Sequence, residues 1–355
     1  MNMYTNEIQL IYDKLADVDS QEIFINRLAY SLTGHLASLK NVIRSFSGGR
    51  EFIERLNQAV IEKRKICIFG TGIWGKSILT SYQDVNFFCF VDNNLSKCGK
   101  SIGGVPVIHF DEWIKKNEDM TIIVSTKLYH KEIYSQLKEH QVSDELIINA
   151  GEIIDKANKI QYFDLPELEN YRIEDEVFVD AGAFDGQTSA MFVKWAGRRY
   201  KKIFALEPDP QNREKCQKRL EAMDAEYEIL PFGVWDKAEQ LSFASGLNGA
   251  SHVSSNGQET TKEQIRIQVN KLDSLIHEKV SFIKMDIEGS ELNALKGAEK
   301  LIKTYKPKLA VCVYHKREDI WEIPRLILSY VPEYKMYIRH YSLSKDETVL
   351  YCVVE

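Results

Sequence analysis

Val177-Phe-Val-Asp-Ala-Gly-Ala-Phe-Asp-Gly-Gln-Thr188 decides the reading of this chain. The apolar run from Val177 to Asp180 has the character of a short buried parallel strand that ends in an acid. Gly182 and Gly186 then form a turn into a helix-like segment, Thr188 to Lys194. A glycine turn between a strand and a helix brings backbone N–H groups close to a ligand at the carboxyl end of a sheet. The acid makes this instance unusual, because a carboxylate at Asp180 suits a cationic ligand better than a pyrophosphate.

Working outward, a second strand, Lys202-Ile-Phe-Ala-Leu-Glu-Pro208, ends in Glu207, placed to accept hydrogen bonds from ribose hydroxyls. An acid on the first strand, a glycine turn and an acid closing the second strand together suggest S-adenosylmethionine. The expected cofactor residues are Asp180, Gly182, Ala183, Phe184, Asp185 and Gly186 on the turn, Glu207 and Pro208 after the second strand, Gly233 after a third, and Asp286.

At 355 residues, two domains are expected. An apolar fraction of 44% and a charged fraction of 28% are those of a globular protein. A net charge of −6 argues against a nucleic-acid partner, since phosphate binding needs a basic face. No run of 18 apolar residues predicts a membrane span, and the start, Met1-Asn-Met-Tyr-Thr-Asn-Glu, lacks a signal-peptide pattern. The 6 cysteines form no C-x-x-C pair and most sit in apolar runs, so a reducing, cytoplasmic location is expected.

The sequence divides into a helical extension (1–62), a Rossmann-like nucleotide-binding-type domain (63–155), a linker (156–175) and the main domain (176–355). Ile23, Ile25, Leu28, Leu32, Leu36, Leu39 and Ile43 make a helical apolar stripe, read as a cap or a homodimer contact. In the next segment Ile66–Phe69 runs into Gly70-Thr-Gly72-Ile-Trp-Gly75, and a second strand closes at Asp92, 20 residues past Gly72. That offset is the one expected of a ribose-binding acid in a dinucleotide fold, which makes Gly70, Gly72, Gly75 and Asp92 a second nucleotide site for NAD(P) or a nucleotide sugar. No Tyr-x-x-x-Lys follows for hydride transfer, so the segment reads as a binding module.

In the main domain, Val280–Met285 leads into Asp286-Ile-Glu-Gly-Ser-Glu291, Leu309–Tyr314 ends at His315, and Tyr334–Ile338 ends near Arg339-His340. Acids and histidines at successive strand ends line one crevice in a parallel sheet. His315 or Asp286 is the expected base, and Glu288 and His340 are expected to orient the substrate. Asp286, Glu288 and His315 are also a candidate set for Mg²⁺ or another divalent ion. Between two strands, the polar stretch 245–257 reads as a loop in which Asn248, Ser251 and His252 contact the acceptor.

Asp180-Ala-Gly-Ala-Phe-Asp-Gly186, Lys284-Met-Asp-Ile-Glu-Gly-Ser-Glu291, Tyr314-His-Lys-Arg-Glu-Asp-Ile-Trp-Glu-Ile-Pro324 and Arg339-His-Tyr341 with Glu347-Thr-Val-Leu-Tyr351 resemble the FkbM family of S-adenosylmethionine-dependent methyltransferases. The resemblance covers about residues 160–355. It implies a seven-stranded Rossmann-like methyltransferase sheet with one antiparallel strand at Thr348–Val354, and O-methylation of a hydroxyl on a sugar, glycan or natural product. Phe184 departs from the usual middle glycine of such turns. The rival expectations are an NAD-linked nucleotide-sugar oxidoreductase or isomerase centred on Gly70–Gly75, and a non-catalytic nucleotide-binding scaffold.

Overall fold

The structure, a computed structural model, describes residues 2–116, 119–197, 199–244 and 264–354. Two compact units interleave along the sequence. One comprises Ile25–Gln161 with His340–Glu347, the other Met1–Phe24, Tyr162–Arg339 and Thr348–Glu355. Packing thus assigns the ends of the chain differently from the contiguous segments read in sequence. The helix Asn2–Lys14, the start of the expected helical extension, and the isolated bridge Leu15–Met336 belong to the second unit, whereas 340–347 belongs to the first.

The first unit is built on β1 (Ile66–Phe69), β2 (Phe87–Asp92), β3 (Ser101–Ile102), β4 (Val105–His109), β5 (Thr121–Val124) and β6 (Ile147–Ile148). They form a six-stranded sheet in the order β3-β4-β2-β1-β5-β6. All pairs are parallel except β3 with β4. Because side chains alternate along a strand, Ile66 and Ile68 pack on one face with Phe52 and Leu56 of the helix Ser47–Ile61, while Cys67 and Phe69 pack on the other with Trp113 and Leu137. Helices on both faces explain why these strands are apolar throughout. Strands are added on one side of β1 up to β4 and on its other side from β5 onward, so the turn after β1 opens at the switch point of the sheet. From the helical stripe, Leu39 and Ile43 are core, while Ile25 and Leu32 are exposed.

The second unit contains β7 (Glu176–Ala181), β8 (Tyr200–Leu206), β9 (Tyr227–Leu230), β10 (Gly233–Val234), β11 (Glu239–Ala244), β12 (Gln264–Asn270), β13 (Phe282–Met285), β14 (Lys308–Cys312), β15 (Lys335–His340) and β16 (Thr348–Val353). Its main sheet has seven strands in the order β15-β16-β14-β13-β7-β8-β9. β16 runs antiparallel to β14, as expected, and β14, β13, β7, β8 and β9 are parallel neighbours. β10, β12 and β11 make a separate three-stranded sheet. Phe178 stacks on Phe192 with ring centroids 4.3 Å apart, and Phe163, Trp195 and Phe282 close round them to anchor β7 against the helix Gln187–Ala196.

Two lysines are buried in this sheet, each opposite an acid. Lys284 is paired in register with Asp180 across β13 and β7, with Nζ 3.1 Å from Oδ1. Lys308 Nζ lies 2.6 Å from Glu176 Oε1 and also donates to the Tyr171 carbonyl. Burial depresses the Lys308 ammonium, against the pull of Glu176. At Lys284 burial acts in the same direction, but Asp180 and Asp286 together outweigh it and the pKa is raised. Among the described residues no helix is long and apolar enough to cross a membrane.

Candidate active site

The turn after β7 is held by the backbone it touches. Gly182 has φ +80, and a Cβ there would sit inside the contact radius of the Asp286 carbonyl oxygen and 3.0 Å from Ile287 Cγ2. Glycine is therefore what allows the ends of β7 and β13 to lie side by side. Gly186, at φ +78, faces Cys216, whose Sγ would be 2.9 Å from a Cβ. Phe184, where a middle glycine was expected, adopts φ +49, so the left-handed conformation survives without a glycine.

The N–H groups of this turn are engaged within the chain. Gly182 and Ala183 donate to the Leu206 carbonyl, Gly186 to Ala183, Phe184 to Glu207 and Gln187 to Asp185. The turn therefore does not present the row of open donors that cradles a phosphate. Glu207, just past β8, is buried and takes the Phe184 N–H at 3.0 Å on one oxygen and the Asp209 N–H at 2.9 Å on the other. Burial, with Asp209 adding like charge, raises its pKa above the usual carboxylate range. Asp185 pairs with Arg219 at 2.6 Å, Pro208 is half-buried, and Gly233 lies on β10 against Val269.

Asp180 is placed differently from its sequence reading. Its side chain is 0% exposed, accepts from Ser189 Oγ at 2.7 Å and faces Lys284. The carboxylate lies under the turn rather than beside an open crevice. Lys284 in turn donates to the Gly182 carbonyl at 2.9 Å, so the ion pair braces the turn from below. An anion buried this deeply is stable only with such a partner.

After β13 and β14 the chain assembles carboxylates around one imidazole. His315 Nε2 lies 3.5 Å from Asp286 Oδ1 and 3.5 Å from Glu288 Oε2, and Nδ1 lies 3.0 Å from Glu291 Oε1. Glu288 (φ +56) and Gly289 (φ +89) take left-handed conformations in the turn that brings them there. Asp286, with a side chain 25% exposed, accepts from Tyr162 Oη at 2.9 Å and Tyr314 Oη at 3.2 Å. Burial acts to raise its pKa, but Lys284, His315 and the Tyr162 hydroxyl prevail and lower it, so Asp286 is an anion at neutral pH. Burial works to lower the His315 pKa, but Glu291, Asp286 and Glu288 outweigh it and push the value up to about 10. An imidazolium cannot serve as a base at neutral pH, so in this state His315 binds and orients carboxylates instead. Behind it, burial and the nearby Glu291 raise Asp319 to about 7.

His340, expected in this cluster, belongs to the first unit. It is buried, its ring is 6.2 Å from that of Phe46, and burial together with Arg27 lowers its pKa to about 3. A neutral, enclosed imidazole of this kind is a packing residue there. In the same unit, Gly70 has φ +109, and a Cβ at Gly75 would meet Ser125 Oγ at 2.9 Å. Gly72 has φ −74 and nothing within 4 Å of a Cβ, so neither backbone nor packing requires it to be glycine. Asp92 accepts from Thr71 Oγ1 at 2.5 Å, the Asn94 N–H at 2.9 Å and Lys97 at 3.1 Å, so its carboxylate is largely committed to its own turn. Asn248, Ser251 and His252 lie outside the described residues.

Sequence reading assigned no role to Tyr162, Lys284 or Glu291. A lysine inside an apolar strand, at Lys284, was a legible signal for a buried anion on a neighbouring strand. Tyr162 carried no local signal, because it reaches Asp286 from far away in the chain.

Residues 180–341 match the family model described as methyltransferase FkbM domain, and residues 62–148 match one described as C2185-like, N-terminal. No curated protein matches the chain. Among solved structures, the chain is similar to methyltransferase FkbM from Methylobacillus flagellatus KT, at 20% identity over 86% of this chain and 99% of that one, with a TM-score of 0.48. A SAM dependent methyltransferase from Aquifex aeolicus is similar at 14% identity over 57% of this chain and 98% of its own, TM-score 0.32. Aeropyrum pernix fibrillarin, solved with natively bound S-adenosyl-L-methionine, is similar at 11% identity over 51% and 67%, TM-score 0.32. Residues 180–341 thus form an FkbM methyltransferase domain, and the chain that carries them is a methyltransferase.

Proposed function

We propose that the chain is an S-adenosylmethionine-dependent O-methyltransferase acting on a hydroxyl of a sugar, glycan or related natural product. The observation that carries the reading is Glu207. Two backbone N–H groups fix its carboxylate at the end of β8, and each oxygen keeps a lone pair for a ribose hydroxyl. The adjoining turn has its donors engaged internally, which suits a cofactor with no pyrophosphate. Glu207, Phe184 and the backbone from Gly182 to Gly186 would hold the cofactor, with Asp180 and Lys284 supporting the turn from beneath.

When bound, the cofactor supplies a methyl group on a sulfonium, an electrophile that needs alignment more than activation. A sugar hydroxyl is a weak nucleophile and needs a proton acceptor. Asp286 and Glu288 are partly exposed, with side chains 25% and 28% accessible, and either carboxylate can take that proton. Glu207 and the turn would hold the cofactor so that its methyl could pass to the acceptor oxygen, the sulfur leaving as a neutral thioether. His315 and Tyr162 hold the carboxylates in position meanwhile.

The test is transfer of isotopically labelled methyl groups to a panel of free sugars, nucleotide sugars and glycans, with the linkage of the label determined. Methyl ethers formed by the wild type and lost in Asp286→Asn with Glu288→Gln are expected. Label on nitrogen or carbon, or on RNA alone, would overturn the hydroxyl assignment.

In the first unit, the open space at Gly72 favours a second reading, in which the six-stranded unit binds the nucleotide of a carrier-linked acceptor or NAD(P). Equilibrium dialysis with a labelled nucleotide sugar tests it, and no retention by the full chain would refute it.

A further inference from the structure

We infer that Asp286, Glu291 and His315 hold a divalent transition-metal ion, with Glu288 beside it. Its chemistry rests on the methyltransferase reading; its geometry does not. One ligand atom from each of the three residues lies within 4.8 Å of the other two, so a single ion can reach all of them. The sequence pointed to Asp286, Glu288 and His315; the structure substitutes Glu291, which comes from the start of the helix Glu291–Lys296.

The second observation is an unmet need for a partner. Glu291 is 0% exposed; one oxygen takes the Ile287 N–H at 2.9 Å, and Oε2 has no hydrogen-bond partner. His315, with a side chain only 10% exposed, meets the carboxylates at 3.0 and 3.5 Å as an ion-pair partner without a well-aligned hydrogen bond from either ring nitrogen. A buried carboxylate oxygen left without a partner is costly to the fold. Three carboxylates face one imidazole here, an excess of negative charge that a dication balances.

The donor set names the class of ion. One imidazole nitrogen with two carboxylates suits Mn²⁺, Fe²⁺ or Zn²⁺ better than Ca²⁺ or Mg²⁺, which prefer oxygen alone. Three protein ligands leave coordination positions for the acceptor hydroxyl, whose proton becomes more acidic on the ion and passes to Glu288. Asp286 then serves as ligand rather than base. Oxygen attack on the methyl carbon and departure of the thioether are unchanged, and no redox step is involved.

The experiment uses the full chain, stripped with a chelator and dialysed. Mn²⁺ is titrated in while the signal of the free ion is followed by electron paramagnetic resonance, and Zn²⁺ is titrated by calorimetry. One site per chain is expected. Glu291→Gln, which keeps an acceptor for the Ile287 N–H, and His315→Gln should each weaken it by about ten-fold or more. Circular dichroism establishes that each variant is folded, and the two are independent should one misfold. No binding by the wild type, or binding that neither variant weakens, overturns the site. S-adenosylmethionine titrated into the same stripped protein separates the readings. Cofactor binding without any metal site sinks the metal alone, whereas metal binding without cofactor binding leaves the site standing and sinks the cofactor.

Discussion

Replacing Gly182 with alanine should be disproportionately damaging for the addition of one methyl group. The residue sits at φ +80, where an L side chain costs about 1–2 kcal/mol in the left-handed region. The added Cβ also meets the Asp286 carbonyl oxygen head-on, with Ile287 Cγ2 3.0 Å away, so the ends of β7 and β13 must part. Forcing extra volume into a packed site costs about 1–3 kcal/mol more. The sum, about 2–5 kcal/mol, is a large fraction of a typical 5–15 kcal/mol of stability. Gly34→Ala is the control: φ is +71 but nothing lies within 4 Å, so only the backbone cost applies. Urea denaturation of the three proteins measures both. Cofactor affinity should also fall in Gly182→Ala, since the same turn carries the Phe184 N–H to Glu207. If Gly182→Ala is no less stable than Gly34→Ala, the close approach of the two strand ends is not what requires the glycine, and the account of the turn fails.

Other outcomes follow from the same contacts. Lys284→Met leaves Asp180 as an unpaired anion at 0% exposure and should cost about 3–5 kcal/mol in denaturant titration, much of it recovered in the double variant with Asp180→Asn. His340, held at about 3 in the fold against 6.5 unfolded, makes the folded state bind fewer protons between those values, so stability is full above 6.5 and is lost as pH falls below it. His340→Gln should flatten that slope, which is at most about 1.4 kcal/mol per pH unit, and an equal slope in both proteins would contradict the burial assigned to it. Gly72→Ala should leave stability unchanged or raise it by up to about 1 kcal/mol, because φ is −74 and the space is open; a marked loss in thermal melts would show a packing role.

The fold was legible where local pattern decides it. Apolar runs of four to six residues marked β1, β7, β13 and β14 nearly to their ends, and the acid at Asp92 marked the end of β2. Glu207 could be placed just past β8 because a strand end is a local feature. What sequence left hidden was pairing at a distance. Asp180 looked like a ligand because nothing near it declared Lys284 as its partner, although that lysine stood conspicuously in an apolar strand. Glu291 only closed the stretch after β13 in the sequence, and the fold is what turns it toward His315. His340 followed a strand like the other candidates, yet packs with Phe46 and Arg27 in the other unit. Periodicity reports which face is buried, not which residues meet there.

The seven-stranded unit should bind S-adenosylmethionine through Glu207. Isothermal titration of the full chain with S-adenosylmethionine and S-adenosylhomocysteine, repeated on Glu207→Gln, tests it directly. One site per chain is expected, weakened by about ten- to one-hundred-fold in the variant, the worth of charge-assisted hydrogen bonds of about 1.5–3 kcal/mol. No binding of either ligand by folded protein, or equal binding by Glu207→Gln, would contradict it.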